Sequence, residues 1–77
     1  MKIKLAGPVK LPGQDAEGWL EVREGTTVRE LFQRARTSER MLILVGFPVM
    51  VNGRQVRLTQ VLHEGDLLVV ILPLSGG

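Results

Sequence analysis

The sequence predicts a small domain of the α+β class, in which a mixed sheet of four to five strands packs on one main helix. The composition is 44% hydrophobic and only 4% aromatic, so the core must consist of leucine, valine and isoleucine, which suit a half-buried sheet. One amphipathic segment lies between segments of strand character, and the last apolar run is long enough for a central strand. At 77 residues the chain is too short for a second domain, since domains typically have about 100 to 150 residues.

The first two strands are predicted on either side of a loop. In residues 2–6 polar and apolar side chains alternate, and Gly7 and Pro8 end the run. Residues 7–18 contain three glycines and two prolines, which is typical of a loop. A second strand at residues 19–22 then pairs with the first as a hairpin with a long connection.

The helix is predicted to begin after Thr27, because Thr27 and Glu30 have the spacing of a capping box. This assigns both side chains a structural role. Apolar residues then follow at helical spacing and line one face: Val28, Leu31, Phe32 and Ala35. We expect the helix to end near Thr37 or Ser38.

A hairpin is predicted after the helix. The apolar run at residues 41–45 fits a buried strand or a helical turn, and its β-branched residues and the following Gly46 favour a strand. Asn-Gly is a strong signal for a tight turn, because both central residues must adopt positive φ. The predicted hairpin consists of a strand at residues 49–51, the Asn52-Gly53 turn and a returning strand at residues 55–57.

The final strand is predicted at residues 67–72, which are all apolar. Since neither face is polar, both faces need cover and the strand should be central, beside the first strand. Two strands, a helix, further strands and a central last strand form the layout of a β-grasp fold.

Composition and charge exclude several classes of function. The chain has no cysteine, one histidine and a net charge of +2, so we expect no metal site, no catalytic side chain and no nucleic-acid partner. His63 is predicted in a solvated turn, and Trp19 on the sheet. No apolar stretch approaches the roughly 18 residues of a membrane helix, and no signal segment is present, so we expect no membrane association and a cytoplasmic location.

The chain end is predicted to be a tail at residues 73–77, following a domain at residues 1–72. Pro73 cannot donate to a strand ladder, and the residues after it are Leu74, Ser75, Gly76 and Gly77. Because glycine has no Cβ, this tail can thread a narrow channel and present the Gly77 carboxylate to another protein's catalytic groups. Five residues extend roughly 16 to 18 Å, far enough to reach a buried site.

Segments along nearly the whole chain carry a family resemblance. They are residues 22–31 leading into the helix, Val51-Asn52-Gly53 in the hairpin, Glu64-Gly65-Asp66 before the last strand, and residues 73–77. In this order they resemble the ubiquitin-like sulfur carriers of the MoaD/ThiS family.

The resemblance implies a carrier and not an enzyme. A ubiquitin-activating-type partner would use ATP and magnesium to adenylate Gly77, and a sulfur donor would displace AMP to leave a thiocarboxylate. The chain itself would bind no cofactor. A synthase subunit would then accept the sulfur, while Pro73, Leu74, Ser75 and Gly76 thread the partner's site.

Counting back from the terminal glycines, as in ubiquitin-like proteins, assigns Leu68, Val70 and Leu72 to the core. Val69 and Ile71 then form an exposed apolar patch. We expect this patch to dock the activating enzyme, unless another strand or loop covers it.

The resemblance defines the acceptor of the sulfur less closely. The ending from Pro73 to Gly77 is more like the molybdopterin synthase small subunit than the carriers for thiamine thiazole or tRNA thiolation, although Leu72 replaces the first proline of the common Pro-Pro pair. Two other functions stay open: a ubiquitin-like modifier joined through Gly77 to lysines, and a β-grasp domain that only binds a partner and needs neither Gly76 nor Gly77.

Overall fold

The structure is a computed structural model that describes residues 1–7, 9–34, 46 and 48–71. These residues contain five strands and one helix, in the following chain order: β1 (Lys2–Ala6), β2 (Trp19–Glu21), α1 (Val28–Phe32), β3 (Val49–Val51), β4 (Arg54–Val56) and β5 (Leu67–Val70).

The strands form one mixed sheet in the order β2-β1-β5-β3-β4. Strand β5 pairs in parallel with β1 and antiparallel with β3, and the other pairs are antiparallel. The predicted sheet with a central last strand beside the first strand is therefore confirmed. The core lies on one face of this sheet, where β-strand residues such as Ile3, Leu5 and Leu68 pack with the buried face of α1.

Helix α1 begins as predicted. The Thr27 hydroxyl accepts a hydrogen bond from the Glu30 N–H at 3.2 Å, and the Thr27 N–H donates to the Glu30 carboxylate at 3.3 Å, so the capping box is present. The N–H groups of Val28 and Arg29 donate to carbonyls of the segment before β5. That segment follows β4 as a loop and contributes the buried side chain of Leu62 to the core.

The helix ends at Phe32, earlier than predicted. The N–H of Gln33 donates to the Arg29 carbonyl at 3.1 Å, and the N–H of Arg34 donates to the Leu31 carbonyl, only three residues back, at 3.2 Å, so the last turn tightens. The predicted end near residues 37–38, the apolar position at residue 35 and the predicted strand at residues 41–45 lie outside the described residues.

The hairpin turn is confirmed, with φ of 52° at Asn52 and 84° at Gly53. Strand β4 nevertheless begins one residue earlier than predicted, because this two-residue turn pairs Val51 directly with Arg54. Strand β2 ends at Glu21, one residue early, although the Val22 N–H still donates to the Met1 carbonyl at 2.8 Å.

The loop between β1 and β2 approaches β1 closely at Gly18. The Gly18 carbonyl accepts from the Leu5 N–H at 2.9 Å, and Gly18 has φ of +100°. A Cβ built on Gly18 would lie 2.7 Å from the Leu5 carbonyl oxygen. Position 18 therefore requires glycine for both its backbone angle and its contact with β1.

Replacing Gly18 with alanine should lower the free energy of unfolding by about 2 to 4 kcal/mol, because left-handed strain of about 1 to 2 kcal/mol adds to a clash between backbone atoms. Gly25→Ala is the matched control, since Gly25 has φ of +86° and open space where its Cβ would stand. Urea unfolding of both variants measures the difference. Equal losses of unfolding free energy in the two variants would show that the clash with the Leu5 carbonyl does not destabilise the protein.

Candidate functional site

The last described strand separates a buried face from an exposed face. Leu68 and Val70 are 0% and 3% exposed, whereas Leu67 and Ile71 are 40% and 45% exposed and Val69 is half-buried. The predicted core positions Leu68 and Val70 are confirmed, and Leu72 lies outside the described residues. Val69 and Ile71 project to the face of the sheet opposite the core, as predicted.

Neighbouring strands enlarge this exposed surface. Val69 lies opposite Ala6 on β1 and opposite Met50 on β3, so these three half-buried side chains form a row on one face. We call the surface formed by Ala6, Met50, Leu67, Val69 and Ile71 the outer-face patch. Alternation along β5 already places Leu67 on this face, but sequence reasoning missed Ala6 and Met50, because only the strand register shows which side chains flank Val69.

Strands β1 and β2 continue the outer face with a charged and an aromatic side chain. Lys4 lies opposite Trp19 on one side and Leu67 on the other, and its Nζ is 5.6 Å from the centroid of the Trp19 ring. This distance permits a cation–π contact. Trp19 therefore packs on the sheet, as the sequence predicts, and Lys4 borders the outer-face patch with positive charge.

A buried carboxylate fixes the start of β5. Asp66 is 8% exposed; its Oδ1 accepts from the side-chain amide of Asn52 at 2.8 Å, and its Oδ2 accepts from the His63 N–H at 2.7 Å. The Asn52 side-chain oxygen accepts from the Leu67 N–H at 2.9 Å, while the Asn52 N–H donates to the Leu67 carbonyl at 2.8 Å. The β3–β4 turn is thus tied to the first residue of β5.

This network explains two sequence features structurally. Asn52 supplies both the positive φ of the turn and the amide that Asp66 needs, and Glu64-Gly65-Asp66 forms the turn before β5. The side chain of His63 is 74% exposed, with its Nδ1 4.0 Å from Asp66. His63 therefore occupies the exposed turn that the sequence predicts.

The last described residue, Ile71, belongs to the outer-face patch. The N–H of Ile71 donates to the Pro48 carbonyl at 2.9 Å, which extends the β3–β5 pairing by one residue beyond Val70. The predicted tail residues, Pro73, Leu74, Ser75, Gly76 and Gly77, lie outside the described residues. Ile71 is therefore both a patch residue and the last described residue before that segment.

Within the described residues the side chains that could hold a metal do not gather. No group of three histidine, aspartate or glutamate side chains there has the required arrangement. Nor is any helix in the described part of the chain long and apolar enough to cross a bilayer.

Comparison with known proteins agrees with this architecture. The sequence model of the ThiS family matches residues 8–77. Among solved structures, SAMP1 from Haloferax volcanii is similar, with a TM-score of 0.60 and 22% sequence identity over 99% of this chain and 97% of that chain. No curated protein matches the sequence significantly. The predicted β-grasp fold is confirmed, with a sheet that dominates over its short helix.

Removing the Asp66 carboxylate should destabilise the protein strongly. Asp66→Ala leaves the Asn52 amide and the His63 N–H without their acceptor, and we expect a loss of about 2 to 4 kcal/mol in the free energy of unfolding. Asn52→Gly keeps a residue that tolerates positive φ and removes only the amide.

A double-mutant cycle of these two substitutions by urea unfolding should give a coupling of about 1 to 3 kcal/mol. If the losses in unfolding free energy of the two single variants simply add, Asp66 and Asn52 act independently, and the hydrogen-bond network would be contradicted.

Proposed function

The chain belongs to the ThiS family of ubiquitin-like sulfur carriers, and we propose that it carries sulfur as a thiocarboxylate on Gly77. The observation that supports this proposal is the extent of the family match, which runs through residues 8–77 and so includes both final glycines. Carriers of this family are generally not enzymes, and they generally work with adenylating enzymes and synthases.

The proposed chemistry takes place in two steps on the Gly77 carboxylate. An oxygen of the carboxylate attacks the α-phosphorus of ATP held with magnesium by the activating enzyme, and pyrophosphate leaves. Hydrosulfide supplied by the sulfur donor then attacks the acyl carbon; the carbon–oxygen bond to AMP breaks, AMP leaves with the electron pair, and loss of the sulfur-bound proton leaves the thiocarboxylate. Since a carboxylate is a poor electrophile and its acyl-adenylate a good one, this activation is what permits the exchange of oxygen for sulfur.

This chain's contribution is to deliver the carboxylate. In the proposal, residues 73–77 form a tail that enters the partner's site, with Pro73, Leu74, Ser75 and Gly76 along the channel. Because Ile71 is exposed at the end of the β5 pairing, a partner that contacts the outer-face patch stands next to the segment that must enter it.

We assign docking of the activating enzyme to the outer-face patch. Its apolar residues are exposed or half-buried, and burying apolar area against a partner is the main source of binding free energy in such contacts. Lys4, beside Trp19, adds one positive charge at the border. Val69 and Ile71 stand at the centre of this proposal, with Met50 as their neighbour across the β3–β5 pairing.

For the acceptor we propose molybdopterin biosynthesis before thiamine thiazole or tRNA thiolation. The support is the ending of the chain, Pro73-Leu74-Ser75-Gly76-Gly77, which is more like the molybdopterin synthase small subunit. A synthase subunit would then take the sulfur from Gly77.

Incubation with an activating enzyme, ATP, magnesium and sulfide should convert the chain to the thiocarboxylate. Intact mass spectrometry should show a gain equal to the exchange of one oxygen for sulfur, and a variant lacking Gly77 should show none. An unchanged mass with every ThiS-type activating enzyme tested would contradict the proposal. Isopeptide-linked conjugates in place of a thiocarboxylate would indicate the modifier function instead.

Introducing a charge at Ile71 should impair adenylation without unfolding the domain. Ile71→Asp places a carboxylate in the proposed contact, and we expect the rate of ATP–pyrophosphate exchange to fall about tenfold or more, since about 1.4 kcal/mol of lost binding is already tenfold. Val61→Asp is the matched control, because Val61 is similarly exposed, at 40% against 45%, but lies in the loop before β5. Equal rates for both variants would remove Ile71 from the docking surface.

A further inference from the structure

The two edge strands of the sheet, β2 and β4, differ in whether their outward backbone N–H and carbonyl groups have hydrogen-bond partners among the described residues. At β2 the Trp19 N–H donates to the Asp15 carboxylate at 2.9 Å, and the Asp15 N–H donates to the Trp19 carbonyl at 2.9 Å. The pKa of Asp15 lies below its usual value, mainly because its carboxylate accepts this Trp19 N–H. The guanidinium of Arg34 donates to the Glu21 carbonyl at 3.1 Å. The edge of β2 is therefore closed to a further strand.

Strand β4 forms the other edge, and its middle residue points its backbone groups away from the sheet. The Asn52 N–H donates to the Leu67 carbonyl, and the Ile71 N–H donates to the Pro48 carbonyl. Because the hydrogen-bonding direction alternates along an antiparallel strand, the backbone of Met50 also bonds to β5. The backbones of its two neighbours, Val49 and Val51, bond to β4. Gln55, opposite Met50, therefore directs its N–H and carbonyl outward. No described residue outside the strands donates to or accepts from these groups.

A groove follows this open edge. Two adjoining depressions share Arg54, Val56 and Gln60, and the first of them also includes Arg57 and Val61. Val56 is half-buried and Val61 is 40% exposed. Two valine side chains thus line the groove, beside a strand edge whose outward backbone groups have no partner among the described residues.

The charge of the groove is positive. Arg54 and Arg57 are both exposed, and neither belongs to an ion pair among the described residues. The carboxylate that reaches the groove is Asp66, whose oxygens already accept from Asn52 and His63. Two guanidinium groups therefore stand at the edge without a described carboxylate partner, which favours an acidic occupant.

We propose that the edge of β4 and this groove bind an extended acidic segment of a partner protein, which adds to the sheet as a further strand. The segment exchanges hydrogen bonds with the Gln55 backbone and places apolar side chains against Val56 and Val61 on one face. Its carboxylates lie against Arg57 on the other face and, at the end of the pairing, against Arg54. A second copy of this chain is disfavoured as the occupant, because it would bring like charges together. This site lies along the β4 edge, next to Met50 of the outer-face patch, and does not depend on sulfur transfer.

The test is an NMR titration of the full chain with a short synthetic peptide in which valine alternates with glutamate. We expect the largest amide shifts at Gln55, Arg57 and Val61, and binding that weakens as salt is added. A peptide with lysine in place of glutamate should not bind. Shifts confined to the outer-face patch, or no shifts with the glutamate peptide, would overturn the proposal, as would pairing of the chain with itself at β4.

Two variants separate the parts of the interaction. Gln55→Pro removes only an outward N–H, which an edge strand tolerates, and it should abolish peptide binding; retained binding would overturn strand addition. Arg54→Glu with Arg57→Glu should weaken binding about tenfold or more. The matched control is Lys10→Glu with Arg23→Glu, which changes the net charge equally at exposed positions elsewhere. An equal loss in the control would show that net charge, and not this groove, attracts the peptide.

Discussion

Strand β5 is apolar at every position, yet alternation allows only every second side chain to enter the core. Leu68 and Val70 take the inward positions between β1 and β3, and burying each stabilises the fold by about 1.5 to 3 kcal/mol. Their burial forces Val69 and Ile71 onto the opposite face. A slip of one residue would exchange the two sets, so the register that builds the core also determines which apolar residues remain available to a partner.

That register is supported by polar contacts at the start of β5 and by the pairing at its end. The Asp66 carboxylate and the Asn52 amide tie the first residue of the strand to the β3–β4 turn, and the bond from Ile71 to Pro48 carries the pairing past Val70. These hydrogen bonds thus hold β5 in its register, and the burial of its inward apolar side chains stabilises it. In the sequence, Ile71 of the outer-face patch is followed directly by the segment that ends in Gly76 and Gly77.

Much of this arrangement could be predicted from local patterns. Alternation in residues 2–6, the Thr27–Glu30 capping box and the Asn52-Gly53 turn each depend on neighbours in sequence, and all three are confirmed. The early end of the helix at Phe32 depends on hydrogen bonds of the last turn that local patterns do not encode, whereas the start of β4 at Arg54 follows from the two-residue turn itself. The part played by Met50 could not be predicted either, because it follows from the β3–β5 register.

In the proposed function, β5 divides its side chains between the core and a partner. The first measurement should be methyl NMR of the protein, labelled at leucine, valine and isoleucine and mixed with a ThiS-type activating enzyme. We expect broadening or shifts of the Leu67, Val69 and Ile71 methyl groups, with those of Leu68 and Val70 nearly unchanged. Changes of equal size on both sets, or changes that spare β5 altogether, would contradict it.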